Sequence, residues 1–229
     1  MIKLAPSIIC ADLLNLEPEI RILDRAGVDY LHVDMMDGHY VKNFGLSYDL
    51  VRQIRELTRI PLDVHLAMNM PESHIILCAE AGANIITFHP ETTVDPDGVI
   101  REIKRHGKQA CTAIAPNVPL SVLEGLLNDI DMINILTVHP GFAGQKLIPE
   151  ALHKIAEMRE RLRGGGRQIS IAVDGNVSFE NIPRMLSDGA EVLILGTSSI
   201  FRRGSSLEQS IFEVRKCIRE TLITEGFSG

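Results

Sequence analysis

The sequence lacks the patterns of several common classes of protein. Its four cysteines are widely scattered and form no C-x-x-C pair, so neither a zinc ribbon nor a redox motif is predicted, and reduced thiols are expected. No apolar run reaches the roughly 18 residues that a membrane helix needs, and the short apolar run near the N-terminus has neither a basic segment nor a cleavage site beside it. The sequence therefore predicts a cytoplasmic protein without a membrane partner.

Positive charge is also scarce. Lysine and arginine number 23 against 30 aspartates and glutamates, which gives a formal net charge of -7. Such a charge repels the phosphates of nucleic acids and of anionic lipids. With 45% apolar and 23% charged residues, the chain has the composition of an ordinary globular protein. Nucleic-acid binding is therefore not expected.

Short β-rich runs recur along the chain, each followed by a turn and a segment of helical periodicity. Strict alternation of strands and helices predicts a parallel sheet, and eight units predict a single α/β domain over residues 1–229, a (β/α)8 TIM barrel. A doubly wound open sheet is the alternative, and the absence of G-x-G-x-x-G after the first run disfavours its dinucleotide-binding form. The predicted strands are 4–9, 30–33, 62–66, 85–88, 109–114, 132–138, 169–173 and 192–195.

Polar side chains stand at the predicted carboxyl ends of three strands, where barrel enzymes carry their chemistry. His32 and Asp34 share one face of the second strand because strand side chains alternate, His65 ends the third strand, and Asp174 follows the seventh. Two imidazoles and two carboxylates suit a divalent ion such as zinc, iron, cobalt or manganese. These four residues are therefore predicted to form a metal site, and hydrogen-bonded core residues are the alternative.

Two further polar residues lie near this predicted site. Asp63 shares the face of His65 but lies one layer deeper, which favours support of a ligand, or a structural role, over direct metal binding. His89 follows the fourth strand, and the sequence leaves open whether it faces the site.

Small residues dominate the loops that follow the last three strands, at 141–145, 175–176 and 196–199. Glycines let backbone N–H groups approach an anion closely, and the loops after strands 7 and 8 are the recurrent phosphate site of such barrels. A pocket for a small phosphorylated substrate is predicted, and tight turns without a ligand are the alternative. Gly164-Gly165-Gly166, in contrast, precedes the seventh strand and is interpreted as an αβ loop on the opposite face.

The chain resembles the ribulose-phosphate 3-epimerase family over nearly its whole length. The matching motifs are Ala5-Pro6-Ser7-Ile8, His32-x-Asp34-x-Met36-Asp37-Gly38-His39, Leu62-Asp63-Val64-His65-Leu66, Pro140-Gly141-Phe142-x-Gly144-Gln145, Val173-Asp174-Gly175 and Gly196-Thr197. The resemblance implies one divalent metal ion on the four predicted ligands, Asp34 and Asp174 as the acid/base pair, and a homo-oligomer, either a dimer or a hexamer. The substrate contacts that it implies are Ser7, Met36, His65, Gly141, Phe142, Ala143, Gly144, Gly175, Asn176, Gly196 and Thr197.

The chemistry of such an epimerase accounts for these residue types. Inverting a phosphorylated ketose at carbon 3 removes a proton from one face and returns one to the other, so two bases must flank the carbon. A divalent ion would stabilise the negative charge of the enediolate, and no nicotinamide or flavin is needed. The expected reaction interconverts D-ribulose 5-phosphate and D-xylulose 5-phosphate.

Several departures from the family pattern leave the substrate open. Ala67 and Leu136 stand where the family usually has methionine, and Asn176 replaces a glycine. Cys10 and the segments 89–92 and 196–198 look like the allulose-6-phosphate 3-epimerase branch. Conversion of D-allulose 6-phosphate to D-fructose 6-phosphate is therefore the alternative reaction.

Two other functions fit the sequence less well. Decarboxylases of similar fold use a lysine within Asp-x-Lys-x-x-Asp, and Asp34-Met35-Met36-Asp37 offers none. A non-catalytic barrel that binds a sugar phosphate would bind ligand but fail to exchange the carbon-3 proton with solvent.

Overall fold

Eight parallel strands form one sheet in the computed structural model, which describes residues 2–164, 168–224 and 226. The strands are β1 (Lys3–Pro6), β2 (Leu31–Met36), β3 (Leu62–Ala67), β4 (Ile85–Phe88), β5 (Gln109–Ile114), β6 (Met132–Leu136), β7 (Ser170–Asp174) and β8 (Val192–Leu195). Their order is β1-β8-β7-β6-β5-β4-β3-β2, and a single parallel bridge between Ser7 and His32 joins the chain after β1 to β2. The predicted (β/α)8 barrel is therefore confirmed, and the open sheet is wrong.

Helices alternate with these strands and cover the outside of the barrel. They are α1 (Leu16–Arg25), α2 (Tyr48–Leu57), α3 (Ile75–Ala81), α4 (Pro96–Arg105), α5 (Pro149–Leu162), α6 (Ile182–Ser187) and α7 (Leu207–Thr224). The start of α4 shows why the helix begins there. Pro96 lacks a backbone N–H, but the first turn of a helix has no use for one, and the Asp95 carboxylate accepts the Gly98 N–H at 2.8 Å.

The connection between β5 and β6 departs from strict alternation. It forms the 3₁₀ helix Leu120–Leu123 where the pattern predicts an α-helix. Gly125 explains the difference, because it follows this turn at a φ of +90° and so leaves the helical conformation.

The ends of several strands differ from those predicted, whereas β4, β5 and β8 have the predicted bounds. The first strand stops at Pro6, and the chain turns into the 3₁₀ helix Ile8–Cys10 because the Cys10 N–H donates to the Ser7 carbonyl. The second strand continues beyond Val33 to Met36, since its pairing with β3 runs on to Ala67.

The core has two layers, and the candidate site lies above the inner one. Outward-facing strand residues pack against the helices in one large apolar cluster, which includes Val33, Val64 and Ile171. The lower barrel interior is filled by a smaller cluster formed by Ala5, Ile85, Cys111, Met132, Ala172, Val192 and Ile194. The interior is therefore a packed core, and the candidate ligands lie at its carboxyl end.

Only part of the predicted αβ loop at 164–166 lies among the described residues. Of the predicted αβ loop, Gly164 follows α5 in a left-handed conformation, and Gly165 and Gly166 lie outside the described residues. Within the described ranges, no helix is both long and apolar enough to cross a membrane.

Candidate functional site

Four side chains converge at the carboxyl end of the barrel. His32 and Asp34 come from β2, His65 from β3 and Asp174 from β7. One nitrogen or oxygen atom of each lies within 4.8 Å of the corresponding atoms of the other three. His32, Asp34 and His65 are buried, and Asp174 is partly exposed toward the pocket above. The structure thus brings together all four predicted metal ligands, and they could hold a metal ion.

A buried carboxylate orients the His32 ring. His32 Nε2 lies 3.1 Å from Asp34 Oδ1, and its other nitrogen, Nδ1, lies 2.8 Å from Asp63 Oδ2. The Thr87 hydroxyl donates to the remaining Asp63 oxygen, Oδ1, at 2.6 Å. Asp63 therefore holds the outer nitrogen of the ring and leaves Nε2 directed at the cluster, which is the supporting position expected for it.

His65 connects the cluster to a second chain of polar groups. Its Nδ1 lies 3.0 Å from Asp34 Oδ1, and its Nε2 lies 3.0 Å from His89 Nε2. His89 is fully buried, and its Nδ1 lies 3.1 Å from the Tyr40 hydroxyl and 3.3 Å from Glu91 Oε1. His89 therefore reaches the site through His65 and is not part of the pocket lining.

The two carboxylates of the cluster differ in their affinity for a proton. Burial disfavours ionised Asp34, but His32 and His65 outweigh it and hold the pKa of Asp34 well below its usual range. Burial raises the pKa of Asp174, and the neighbouring Asp34 charge adds to that effect. The metal-free site therefore favours an ionised Asp34 beside an Asp174 that takes up a proton more readily.

The pKa of His32 is raised although the ring is buried. Desolvation lowers the pKa of a buried imidazole, but the carboxylates of Asp34 and Asp63 outweigh that cost and raise the pKa of His32 well above its usual value. A metal ion that bound Nε2 would therefore have to displace a proton.

A pocket opens directly above the cluster. Asp34, His65 and Asp174 form its base, and Ala67 and Leu136 lie in its wall. All eleven residues that the family resemblance implies as substrate contacts line it, namely Ser7, Met36, His65, Gly141, Phe142, Ala143, Gly144, Gly175, Asn176, Gly196 and Thr197. The Ser7 hydroxyl also donates to Asp34 Oδ2 at 2.8 Å, so it orients that carboxylate.

The loop after β7 has a strained but well-anchored backbone. Gly175 has a φ of +98°, and a Cβ atom there would lie 2.6 Å from Val138 Cγ2. Asn176 follows with a φ of +45°, a conformation that asparagine tolerates. Its side-chain amide donates to the Gln145 carbonyl at 2.6 Å, and its Oδ1 accepts from Asn181 Nδ2 at 2.9 Å. Asparagine therefore replaces the usual glycine and fixes the neighbouring loops as well.

Sequence reasoning missed several residues of the lining. Cys10 and His139 line the pocket, as do Ile9, Val177 and Ile194. Burial raises the pKa of the Cys10 thiol to about 11, and Asp34 adds to the shift, so the thiol stays protonated. Most of them could have been found from the sequence, because they stand next to motif residues at the same strand ends.

The fold and the cluster together define a class of protein. This class consists of parallel (β/α)8 barrels that carry two imidazoles, two carboxylates and glycine-rich loops at the carboxyl ends of their strands. A sequence model of the ribulose-phosphate 3 epimerase family matches residues 3–201. The chain belongs to the ribulose-phosphate 3-epimerase family.

Individual relatives are similar over most of their length. The ribulose-phosphate 3-epimerase of Bacillus subtilis is 38% identical over 216 residues, which are 94% of this chain and 99% of that protein. The enzyme of the same name from Synechocystis is 40% identical over 199 residues and 86% of each chain. That of Methanocaldococcus jannaschii is 35% identical over 222 residues, 97% of this chain and 93% of the relative.

Solved structures of low sequence identity share the fold. KGPDC from Streptococcus mutans aligns with a TM-score of 0.74 at 12% identity, over 96% of this chain and 98% of that one. The 3-hexulose-6-phosphate synthase of Salmonella typhimurium gives a TM-score of 0.70 at 17% identity, over 96% and 100%. At these identities the likeness shows the barrel fold alone.

Proposed function

We propose that this protein is a metal-dependent isomerase that interconverts D-ribulose 5-phosphate and D-xylulose 5-phosphate by epimerisation at carbon 3. The observation that carries the proposal is the meeting of Asp34 and Asp174, with His32 and His65, at the base of one pocket. Relatives named ribulose-phosphate 3-epimerase, at 35% to 40% identity, support the same reaction.

The donor atoms of the cluster fit one divalent ion. Two imidazole nitrogens and two carboxylates suit zinc, iron, cobalt or manganese. The contact of His32 Nδ1 with Asp63 supports this assignment, because it leaves Nε2 for the cluster. When bound to His32, Asp34, His65 and Asp174, the ion would supply Lewis-acid stabilisation of negative charge on the substrate oxygens.

The protein's own carboxylates would move the protons. One of Asp34 and Asp174 takes the carbon-3 proton from one face of the sugar, and the other gives its proton to the opposite face, so the pair exchanges roles in the reverse reaction. The opposite pKa shifts of the two residues support this pairing, since such a reaction starts with one ionised and one protonated carboxyl group. Ser7 would hold Asp34 in place.

The glycine-rich loops on the other side of the pocket would hold the phosphate. Residues 141–144, 175–177 and 196–198 line this side, and their small size would let backbone N–H groups approach the phosphate oxygens. With the phosphate held there, the sugar would extend across the pocket toward the two carboxylates.

A six-carbon substrate is the second candidate. Ala67 and Leu136 both line the pocket wall. Their side chains are shorter than the methionines usual in the family, and they border the space in which the sugar would lie. This favours D-allulose 6-phosphate 3-epimerase activity as the alternative reaction.

A coupled assay of ribulose 5-phosphate against allulose 6-phosphate, at equal enzyme and metal concentrations, tests the proposal. We expect a higher kcat/KM for ribulose 5-phosphate, and the reverse order would assign the enzyme to allulose 6-phosphate. Incubation in deuterium oxide provides the control for mere binding. A protein that binds both sugars but exchanges no carbon-3 proton would be a non-catalytic sugar-phosphate binding barrel.

We further propose that the protein is a single-domain, cytoplasmic homo-oligomer. The described strands form one sheet, which supports a single domain over residues 1–229. Four unpaired cysteines support a cytoplasmic location, where thiols stay reduced. A homo-oligomer, either a dimer or a hexamer, stays a prediction that light scattering on a sizing column would test.

A further inference from the structure

A chain of four polar side chains extends from the cluster to the rim of the barrel. It begins at His65, passes through the fully buried His89, and ends at Tyr40 and Glu91. The Tyr40 hydroxyl donates to Glu91 Oε1 at 2.7 Å, and the Glu91 side chain is 24% exposed. The proposed epimerisation uses none of the last three residues, yet burying so many polar groups together is costly unless each is paired.

The contact between the two imidazoles has a direction. Two nitrogens 3.0 Å apart form a hydrogen bond only if one of them carries the hydrogen and the other does not. His65 Nδ1 faces the cluster, so a role as ligand requires its lone pair there and its hydrogen on Nε2. His89 Nε2 must then be the acceptor, and the His89 hydrogen must lie on Nδ1, facing Tyr40 and Glu91.

We propose that His89 is a positioning residue for the metal ligand His65. Its Nε2 accepts the hydrogen of His65 Nε2 and so keeps the lone pair of His65 Nδ1 on the cluster side. Glu91, which also accepts from Tyr40, selects the tautomer of His89 that can do this. The inference rests on the metal site of the proposed function, but not on the reaction or on its substrate.

The second imidazole of the cluster supports this assignment by comparison. The outer nitrogen of His32 is held directly by the carboxylate of Asp63. The outer nitrogen of His65 is held by His89, whose own outer nitrogen faces the carboxylate of Glu91. Both ligands are therefore backed by a carboxylate, and for His65 one imidazole is interposed.

The interposed imidazole also connects the ligand to the chain between β2 and α2. Tyr40 belongs to the connection between β2 and α2, in which Asn43 donates to the Gly141 carbonyl at 2.7 Å. Through Tyr40, His89 is therefore linked to a connection that also contacts Gly141 of the pocket lining. The pattern His-x-Glu after a barrel strand is the sequence signal for this arrangement.

Two substitutions of His89 separate hydrogen bonding from packing. In His89→Gln the side-chain oxygen can occupy the place of Nε2 and still accept from His65, whereas His89→Leu fills space without an acceptor. The measurement is the dissociation constant for Co²⁺ or Zn²⁺, obtained by competition with a chromophoric chelator on metal-stripped protein. We expect a loss of affinity of about 10- to 100-fold for His89→Leu and a much smaller loss for His89→Gln.

A surface pair provides the matched control. His106 Nε2 lies 3.1 Å from Glu102 Oε1, outside the site, so His106→Gln should leave the metal affinity unchanged. Tyr40→Phe and Glu91→Gln test the outer part of this chain of polar groups and leave His89 itself unsubstituted. We expect both to weaken metal binding less than His89→Leu does, and they keep the test decisive if His89→Leu fails to fold.

Several outcomes would overturn the inference. Wild-type affinity in His89→Leu would do so, as would an equal loss in His89→Gln and His89→Leu, which would indicate packing. Unchanged affinity in both Tyr40→Phe and Glu91→Gln would remove the tautomer argument. Because only metal binding is measured, a protein that holds the metal but does not epimerise would disprove the proposed function while supporting the inference.

Discussion

At the scale of single residues, the strongest test concerns the two carboxylates. We expect Asp34→Asn or Asp174→Asn to abolish epimerisation, because a general base contributes about 10²- to 10⁴-fold and the loss of a metal ligand adds to that. Each variant should still exchange the carbon-3 proton of the one epimer whose proton faces the remaining carboxylate. Deuterium incorporation, measured separately for each epimer, checks this. Near wild-type turnover in both variants would show that the two-base assignment is wrong.

The raised pKa of His32 predicts a pH dependence of metal binding. Below that pKa the metal-free protein holds a proton on the ring, and the metal must displace it, so affinity should fall by up to about tenfold per pH unit as the pH decreases. Asp63→Asn removes one of the two carboxylates that raise this pKa. The fall should therefore begin at a lower pH in the variant, as measured by chelator competition across pH 6 to 9. Identical pH profiles would contradict it.

The pocket wall offers a test of substrate length. Restoring methionine in the double variant Ala67→Met, Leu136→Met should lower kcat/KM for allulose 6-phosphate more than for ribulose 5-phosphate, because larger side chains fill space needed by the longer sugar. A methylene in a pocket is worth about 1 to 3 kcal/mol of discrimination, or roughly ten- to a few hundredfold. Steady-state kinetics with both sugars measures it. An equal fall for both would indicate that these positions serve general packing.

Much of the site could be predicted at this scale, and the limit is physical. Strand alternation places His32 and Asp34 on one face, and the barrel rule places Asp174 at the same mouth. Neither rule says which nitrogen of an imidazole faces which neighbour. The roles of His89 and Tyr40 depend on such contacts, so only coordinates show them.

At the scale of elements, the role of the loop after β7 in substrate binding can be tested by comparison with a glycine outside the pocket. Gly175→Ala puts a Cβ atom against Val138 at a positive φ, whereas Gly107, at a φ of +68°, has no atom within 4 Å of that place. Both substitutions cost about 1 to 3 kcal/mol of backbone strain, and Gly175→Ala adds the clash with Val138. We expect only Gly175→Ala to raise KM for the phosphorylated substrate, because only that loop lines the pocket.

Kinetics and thermal unfolding of the two glycine variants separate these effects. A raised KM in Gly175→Ala alone, with both variants still folded at the assay temperature, would support a role of the loop in substrate binding. Equal KM values in both variants and the wild type would contradict that role.

The elements also show where sequence patterns stop being informative. The strands at 85–88, 109–114 and 192–195 were predictable because they are short β-rich runs bounded by turns. The continuation of β2 to Met36 was not, since it depends on pairing with Leu66 and Ala67 on the neighbouring strand. Hydrogen bonds between remote segments leave no local signal.

At the scale of the whole molecule, the wall of the barrel has one weak line. Neighbouring strands elsewhere pair through two to six residues, whereas β1 and β2 share only the bridge between Ser7 and His32, beside a hydrogen bond of 3.1 Å from the Tyr30 N–H to the Leu4 carbonyl just before β2. Both residues of that bridge belong to the site. The ligands on β2 and β3 stand on one side of this line, and Asp174 on β7 stands on the other.

An ion held by these residues would therefore act as a clasp across the seam of the barrel. Native-state hydrogen exchange should show it: removal of the metal should speed exchange of amides in β1 and β2 far more than in β5 and β6, which lie opposite the seam. Uniform acceleration around the barrel would contradict this. If it holds, the ion that serves the reaction also closes the cylinder, and losing it would open the enzyme along the line where its chemistry takes place.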